Sequence, residues 1–175
     1  MQYRTTYRSP AGEILMTADD MGLTGLWFKG GKFYGDMPER MHEDRETPVF
    51  AETRRWLDIY FGGREPDFMP LVHMSGTPFQ MEVWKLLCRI PYGATTTYGE
   101  IAKEIAAGRG IRRMSAQAVG GAVGHNAISI IIPCHRVIGA DGSLTGYGGG
   151  MDKKIRLLNC EGVSVTKFIE RSRVL

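Results

Sequence analysis

The stretch Ser115-Ala116-Gln117-Ala118-Val119-Gly120-Gly121-Ala122-Val123-Gly124 decides how the second half of this chain is built. It lies in a predicted helix over Met114 to Val123. A glycine inside a helix costs about 1 kcal/mol against alanine. Two in succession, Gly120 and Gly121, imply that something approaches the backbone closely. Tyr98 to Ala107 precedes it as a second predicted helix, with Ile101 and Ile105 inward, and Gly108-Arg109-Gly110 breaks the two apart. This is the order of a helix-turn-helix, whose second helix faces DNA. The minor groove is only about 6 Å wide and suits a helix with few side chains. Arg109, Arg112 and Arg113 flank it, where phosphates would lie. Tight packing against another helix is the simpler explanation of the glycines taken alone.

Downstream, Ser129 to Pro133 reads as a short buried extended run leading into Cys134-His135-Arg136. A thiolate is the nucleophilic form of cysteine, and a free thiol ionises only near pH 8.5. An imidazole can take the proton directly or through one water. Neighbouring side chains of an extended segment diverge, so a bridging water suits Cys134 and His135 better than direct contact. A carboxylate would fix the imidazole tautomer. Glu161, after the predicted helix Asp152 to Asn159, is the candidate. An inert cysteine beside a surface histidine is the alternative. Gly146-Tyr147-Gly148-Gly149-Gly150 is either a flexible loop or a mobile pocket wall; it lacks the lysine of a phosphate loop.

Upstream, Gln2 to Phe28 has the texture of an antiparallel meander. Tyr3, Thr5 and Tyr7 alternate with polar residues, and strands follow at Ile14 to Thr17 and Leu23 to Phe28. Gly30 to Pro48 reads as a loop. Pro48 to Phe61 reads as a helix with Phe50, Leu57, Tyr60 and Phe61 near one face. The segment from Gly62 to Pro78 reads as a linker. Thr77 then caps a helix with Phe79, Val83, Leu86, Leu87 and Ile90 as its apolar stripe. Two lobes are expected, residues 1–75 and 76–175.

Composition narrows the class. The chain has 175 residues, 43% hydrophobic and 23% charged, ordinary for a globular protein. No apolar run approaches the roughly 20 residues of a membrane helix, and the polar start is no signal peptide. Three cysteines, Cys88, Cys134 and Cys160, without paired spacing suit a reducing cytoplasm rather than a disulfide framework. The four histidines are scattered, and no CxxC occurs, so no metal site is expected. Cys88 and Cys160 read as packing residues, and Trp27, Trp56 and Trp84 as core or lobe-interface residues. His42 and His73 suggest no chemistry. Residues 1–75 carry 9 Lys+Arg against 12 Asp+Glu, and residues 76–175 carry 13 against 7. An anionic partner is therefore expected on the second lobe, with a solvated basic face as the even alternative on charge alone.

In order and spacing, Ala118-Val119-Gly120-Gly121-Ala122, Asn126, Ile132-Pro133-Cys134-His135-Arg136-Val137-Ile138, Tyr147 and Glu161-Gly162 resemble the O6-alkylguanine-DNA alkyltransferase family. The resemblance is strong from Phe79 to Gly162 and loose before. It implies an α+β protein: a ribonuclease H-like antiparallel sheet lobe with a helix, and a mostly helical lobe containing the helix-turn-helix. It implies direct-reversal DNA repair, with the alkyl group of O6-alkylguanine, or of O4-methylthymine, passing irreversibly to Cys134 in a single turnover after base flipping. His135 would take the thiol proton through water, Glu161 would orient His135, and Asn126 would sit at the hinge. Tyr98 would press on the target phosphate and donate to the flipped base. The backbone of Val137 and the amide of Gly148 would read base edges, with Tyr147 lining the pocket beside Val123, Ser129 and Thr145. Ala118, Gly120 and Gly121 would meet DNA. Gln117 stands where many members carry an arginine that fills the gap left by the flipped base. No cofactor is implied, and the expected partner is double-stranded DNA bound by a cytoplasmic monomer.

Three other readings have their own signatures. A non-catalytic lesion-binding relative lacks the acceptor cysteine, which is present here. A helix-turn-helix regulator carries polar readers on its second helix, and here only Gln117 qualifies. A Cys-His hydrolase turns over repeatedly and needs no basic helix-turn-helix.

Overall fold

The computed structural model describes residues 1–32, 42–166 and 168. Three strands open the chain: β1 (Gln2–Ser9), β2 (Gly12–Asp19) and β3 (Gly22–Phe28). They pair antiparallel, as their alternation predicts. Local turn chemistry sets the register. Ser9 Oγ donates to Gly12 O at 2.6 Å and accepts from Ala11 N, closing the first hairpin. Asp19 Oδ1 accepts from Met21 N and Gly22 N, closing the second. Gly22 has φ +149°, and a Cβ there would lie 2.7 Å from Leu71 O.

The expected loop from Gly30 to Pro48 is only partly a loop. A short strand β4 (His42–Asp44) pairs parallel with Gln2–Arg4 of β1, so the sheet is mixed, in the order β3-β2-β1-β4. Residues 33–41 of that expected loop lie outside the described residues. Helix α1 (Pro48–Phe61) matches its predicted bounds. Thr47 caps it, and Phe50, Trp56, Leu57 and Tyr60 face the core. The expected linker is docked rather than free: Leu23 N donates to Leu71 O and His73 N donates to Leu23 O, both at 2.8 Å.

The rest is mostly helical: α2 (Pro78–Leu87), α3 (Tyr98–Arg109), α4 (Ala116–Gly124) and α5 (Met151–Cys160). Thr77 and Gln80 form a capping box on α2. The predicted break at Gly108 falls later. Helix α3 runs on to Arg109, and Gly110 ends it at φ 65° in the left-handed region. Ser115 caps α4. Two-residue strands β5 (Thr96–Thr97) and β6 (Val137–Ile138) pair in parallel. One continuous apolar core runs from Ile14, Met16 and Phe28 on the sheet, through Leu57 on α1, to Val83, Val119 and Leu157. No described helix is long and apolar enough to cross a membrane.

Candidate active site

Sequence places an extended run before Cys134; the structure places a chain of tight turns there. Asn126 is the cause. Its Nδ2 donates to Ile132 O at 2.8 Å and its Oδ1 accepts from Ile128 N at 3.0 Å, so one side chain staples residues 126–132. The β-branched run Ile130-Ile131-Ile132 favours a strand by propensity alone. Burial of its side chains and the Asn126 staple override that preference. Ile130 takes φ 70°, the one positive φ outside glycine among the described residues. Such a conformation costs of order 1–3 kcal/mol, and the surroundings must hold it. Pro133 (φ −82°, ψ 62°) then makes an inverse γ-turn, with Cys134 N donating to Ile132 O at 2.8 Å.

Cys134–Arg136 forms a single 3₁₀ turn. At three residues per turn, successive side chains diverge by about 120°. Cys134 therefore faces a narrow cavity of about 70 Å³, while His135 points into the protein and is 0% exposed. His135 Nε2 and Glu161 Oε1 are 2.6 Å apart. Glu161 also accepts from Tyr60 OH (2.8 Å), from Arg136 Nη2 (3.0 Å) and Nε (2.9 Å), and from Gly93 N (3.1 Å). Arg136 Nη1 donates to Ile90 O at 2.7 Å. This is a buried carboxylate with its acceptor sites filled.

The charges follow. Burial alone would raise the Glu161 carboxyl, but the His135 and Arg136 hydrogen bonds overcome it and hold it at about 2. Burial pushes His135 below its ordinary value despite Glu161. A neutral imidazole that donates Nε2–H to Glu161 leaves Nδ1 as a base, and Nδ1 is buried without a protein partner. Burial also raises the Cys134 thiol, opposed by Asn126, the Lys154 charge and Tyr147. Lys154 is 0% exposed. Its Nζ donates to Val137 O at 2.6 Å and to Thr145 O at 3.4 Å. Burial lowers it to about 8, against the pull of Cys134.

Most predicted pocket residues meet here. Tyr98, Gly120, Val123, Asn126, Ser129, Tyr147 and Gly148 line the cavity with Cys134. Tyr98 OH shares a hydrogen bond of 2.8 Å with Thr145 Oγ1. Tyr147 OH is buried with no partner in bonding geometry. Val137 is not brought in: it is fully buried, absent from the cavity wall, and its carbonyl is occupied by Lys154. Sequence reasoning missed Lys154, Tyr60 and the first-lobe wall of Trp27, Phe28 and Gly31. Lys154 had a legible signal, because it sits in the same stripe of α5 as the buried Leu157 and Leu158.

Helix α4 presents few side chains to solvent. Trp84 Nε1 donates to Ala122 O at 2.8 Å and fixes this helix on α2. Gln117, Ala118 and Gly121 are exposed. A Cβ on Gly121 would meet nothing within 4 Å, and one on Gly120 would make ordinary contact with the Tyr98 ring at 3.7 Å. Internal helix packing therefore does not require either glycine. Arg112 and Arg113 are exposed in the turn before α4. Arg109 points elsewhere than expected: it pairs with Glu82 on α2 and lies 5.6 Å over the Phe79 ring.

Comparison with known proteins places these features in company. Residues 78–163 match the model of the 6-O-methylguanine DNA methyltransferase DNA-binding domain, and residues 2–71 match that of its ribonuclease-like domain. A methylated-DNA–protein-cysteine methyltransferase of Methanosarcina acetivorans is 45% identical over 91% of this chain and 98% of its own. The Mycobacterium tuberculosis O6-methylguanine methyltransferase crystal structure is 42% identical, with a TM-score of 0.77, covering 92% of this chain and 93% of that one. A structure of the same organism's OGT in complex with DNA is 41% identical with a TM-score of 0.77, covering 91% of this chain and 92% of that one.

Proposed function

This chain belongs to the 6-O-methylguanine DNA methyltransferase family, and from that premise we propose that Cys134 is the residue that takes the alkyl group. The activity is direct-reversal DNA repair by methyl transfer from DNA to a protein cysteine. The observation that carries the assignment is the arrangement around the thiol. Cys134 lines a cavity beside the exposed glycine helix, and behind it a neutral His135, pinned by Glu161, keeps Nδ1 as a free base.

The O6 atom of a stacked guanine cannot reach a thiol in such a cavity, so the base rotates out of the duplex at a cost of a few kcal/mol. His135 Nδ1 takes the Cys134 proton through one water. The Lys154 ammonium and the Asn126 side chain stabilise the thiolate. Sulfur bonds to the alkyl carbon, the carbon–O6 bond breaks, and the electron pair stays on the guanine. Tyr98, at the cavity wall, gives it a proton once its hydroxyl leaves Thr145, and the proton taken up by His135 returns through water to restore the phenol. The product is a thioether that nothing in the site can cleave, so each molecule reacts once.

On the DNA side, Gln117 fills the gap left by the flipped base, Ala118, Gly120 and Gly121 let the groove wall approach, and Arg112 and Arg113 meet phosphates. The Gly148 amide reads the base edge. Arg109 reaches a phosphate only by leaving Glu82, and Val137 contributes through the Lys154 anchor. Residues 76–175 carry DNA binding and alkyl acceptance, and residues 1–75 support them. The substrate is double-stranded DNA bearing O6-alkylguanine, with O4-methylthymine as a second lesion, and the protein acts as a cytoplasmic monomer.

The test is to incubate the protein with a duplex containing O6-methylguanine, then take an intact mass and a peptide map. One methyl on Cys134, abolished by Cys134→Ala, is the expected result. Repeated turnover, or binding with no mass change, would overturn the proposal.

A further inference from the structure

We infer that Tyr60, on the first-lobe helix α1, is a positioning residue for alkyl transfer, its hydroxyl setting how strongly Glu161 holds the proton of His135. The inference rests on the reading of Cys134 as acceptor and His135 as its base. Tyr60 is 0% exposed. Its hydroxyl lies 2.8 Å from Glu161 Oε1 and 3.4 Å from His135 Nε2. Its ring meets the imidazole edge-on, 6.4 Å between centroids at 76°.

A buried tyrosine needs some partner, and any carbonyl would do. Tyr60 has the Leu157 carbonyl at 3.4 Å, yet its short bond, 2.8 Å, goes to the same carboxylate oxygen that His135 uses. Three donors thus converge on Oε1: Tyr60, His135 and Arg136 Nη2. Each donor draws charge from that oxygen and weakens its hold on the others, an effect magnified away from water. The other ionisable groups acting on this cluster are Lys154 from the cavity side, and Cys160 and Tyr92 at the far end of α5. Arg136 already offsets the Glu161 charge. Of the three donors on Oε1, Tyr60 is the one that neither carries charge nor takes part in the proton transfer, and burial beside Glu161 keeps its phenol protonated throughout the working range. A residue from the first lobe thereby acts on chemistry in the second.

Without that hydroxyl, Oε1 pulls harder on the His135 proton. The imidazole then protonates more readily and Nδ1 is lost as a base at a higher pH. The change Tyr60→Phe removes one oxygen and keeps the aromatic contacts. Cys134 alkylation by free O6-benzylguanine and by iodoacetamide would be followed from about pH 5 to about pH 9, which spans the histidine and cysteine ranges. The acid limb of the variant should move to higher pH, with a loss of about tenfold near its foot and little change on the alkaline side, the tenfold being one hydrogen bond to a charged group. Incorporation of a fluorinated, more acidic tyrosine at the same position strengthens the donor and should move the limb the other way. Superimposable profiles, or an equal loss at every pH, would overturn the inference and reduce Tyr60 to packing. A wild-type protein that carries no alkyl on Cys134 would instead defeat the underlying reading, so the two failures are distinct.

Discussion

The two sides of Cys134 are built on opposite terms. Behind it, one carboxylate receives donors from Tyr60, Gly93, His135 and Arg136, and the side chains of Tyr60, His135 and Arg136 are all buried. In front of it, α4 presents alanines, glycines and one glutamine, with nothing pressing on Gly121. The carboxylate behind is saturated, with one imidazole nitrogen kept as the base; the helix in front is left open. A proton relay works only in one geometry, so its partners are filled from within the protein. A surface that must admit DNA leaves its close approaches to be filled from outside. The contrast predicts that damage behind the thiol costs stability and chemistry together, whereas changes in front alter DNA handling and leave the reaction with a free base intact.

The largest effect is expected from Glu161→Gln. Breaking a buried ion pair by neutralising one partner leaves the other uncompensated, typically costing about 3–5 kcal/mol. Urea unfolding should show a loss of that order, with alkyl transfer abolished; a loss below about 1 kcal/mol would mean the network is not the keystone its geometry implies. The pH dependence has a definite sign. Glu161 is held at about 2 against an ordinary 4.5, so its contribution is present above pH 4.5 and lost as pH falls toward 2. His135 is pushed below 6.5, so the unfolded chain takes up its proton first and stability also falls below that pH. Both push the same way, and thermal unfolding of the wild type should move steadily lower on acidification. The Glu161→Gln protein should lose the lower part of that dependence.

Lys154→Met separates charge from structure on the rear side. The buried Val137 carbonyl loses its donor, a cost of about 1–3 kcal/mol that urea unfolding reads on its own. The thiolate also loses its nearby ammonium. Cys134 should react about tenfold more slowly with iodoacetamide near neutral pH, a one-unit rise in its ionisation, with the midpoint of that reaction displaced upward. An unchanged midpoint would limit Lys154 to holding the Val137 carbonyl.

The same contrast explains what the sequence disclosed. The meander, α1, the helix-turn-helix and the Cys134, His135 and Glu161 trio are legible because each rests on a local pattern or a short motif. Local patterns also misled. Ile130-Ile131-Ile132 reads as a strand by side-chain type, and only the Asn126 staple, six residues from its farthest partner, folds it into turns. Tyr60 reads as one more apolar position on α1, because its 101-residue reach to Glu161 has no local signature. Trp27, Phe28 and Gly31 line the cavity for the same reason: hydrogen bonds between Leu26 and the 127–129 backbone carry the end of β3 to the thiol. The place of Arg109 between α3 and α4 suggests a phosphate contact, and Glu82 on a different helix claims it.

On the front side, Gln117→Ala should slow repair of duplex DNA about fivefold, the worth of one neutral hydrogen bond, and leave the reaction with free O6-benzylguanine close to wild type. Competition between the two substrates in one tube would check this. Equal loss on both would place Gln117 in the cavity wall rather than in the gap left by the base.

Gly121→Ala is the smallest change and the sharpest test of an open front. In the free protein the added methyl meets no atom within 4 Å. Alanine is better than glycine in a helix by about 1 kcal/mol, so the variant should be more stable, with unfolding raised by about 2–4 °C for a chain of this size. On DNA the same methyl enters the space through which the groove wall approaches, and affinity for duplex should fall. Stability and binding should therefore move in opposite directions from a single methyl group. If both rise, or if binding is unaffected, Gly121 is not a point of close approach and α4 meets DNA by another face. If both fall, the glycine serves the fold, and the helix is more closely packed than its exposure indicates.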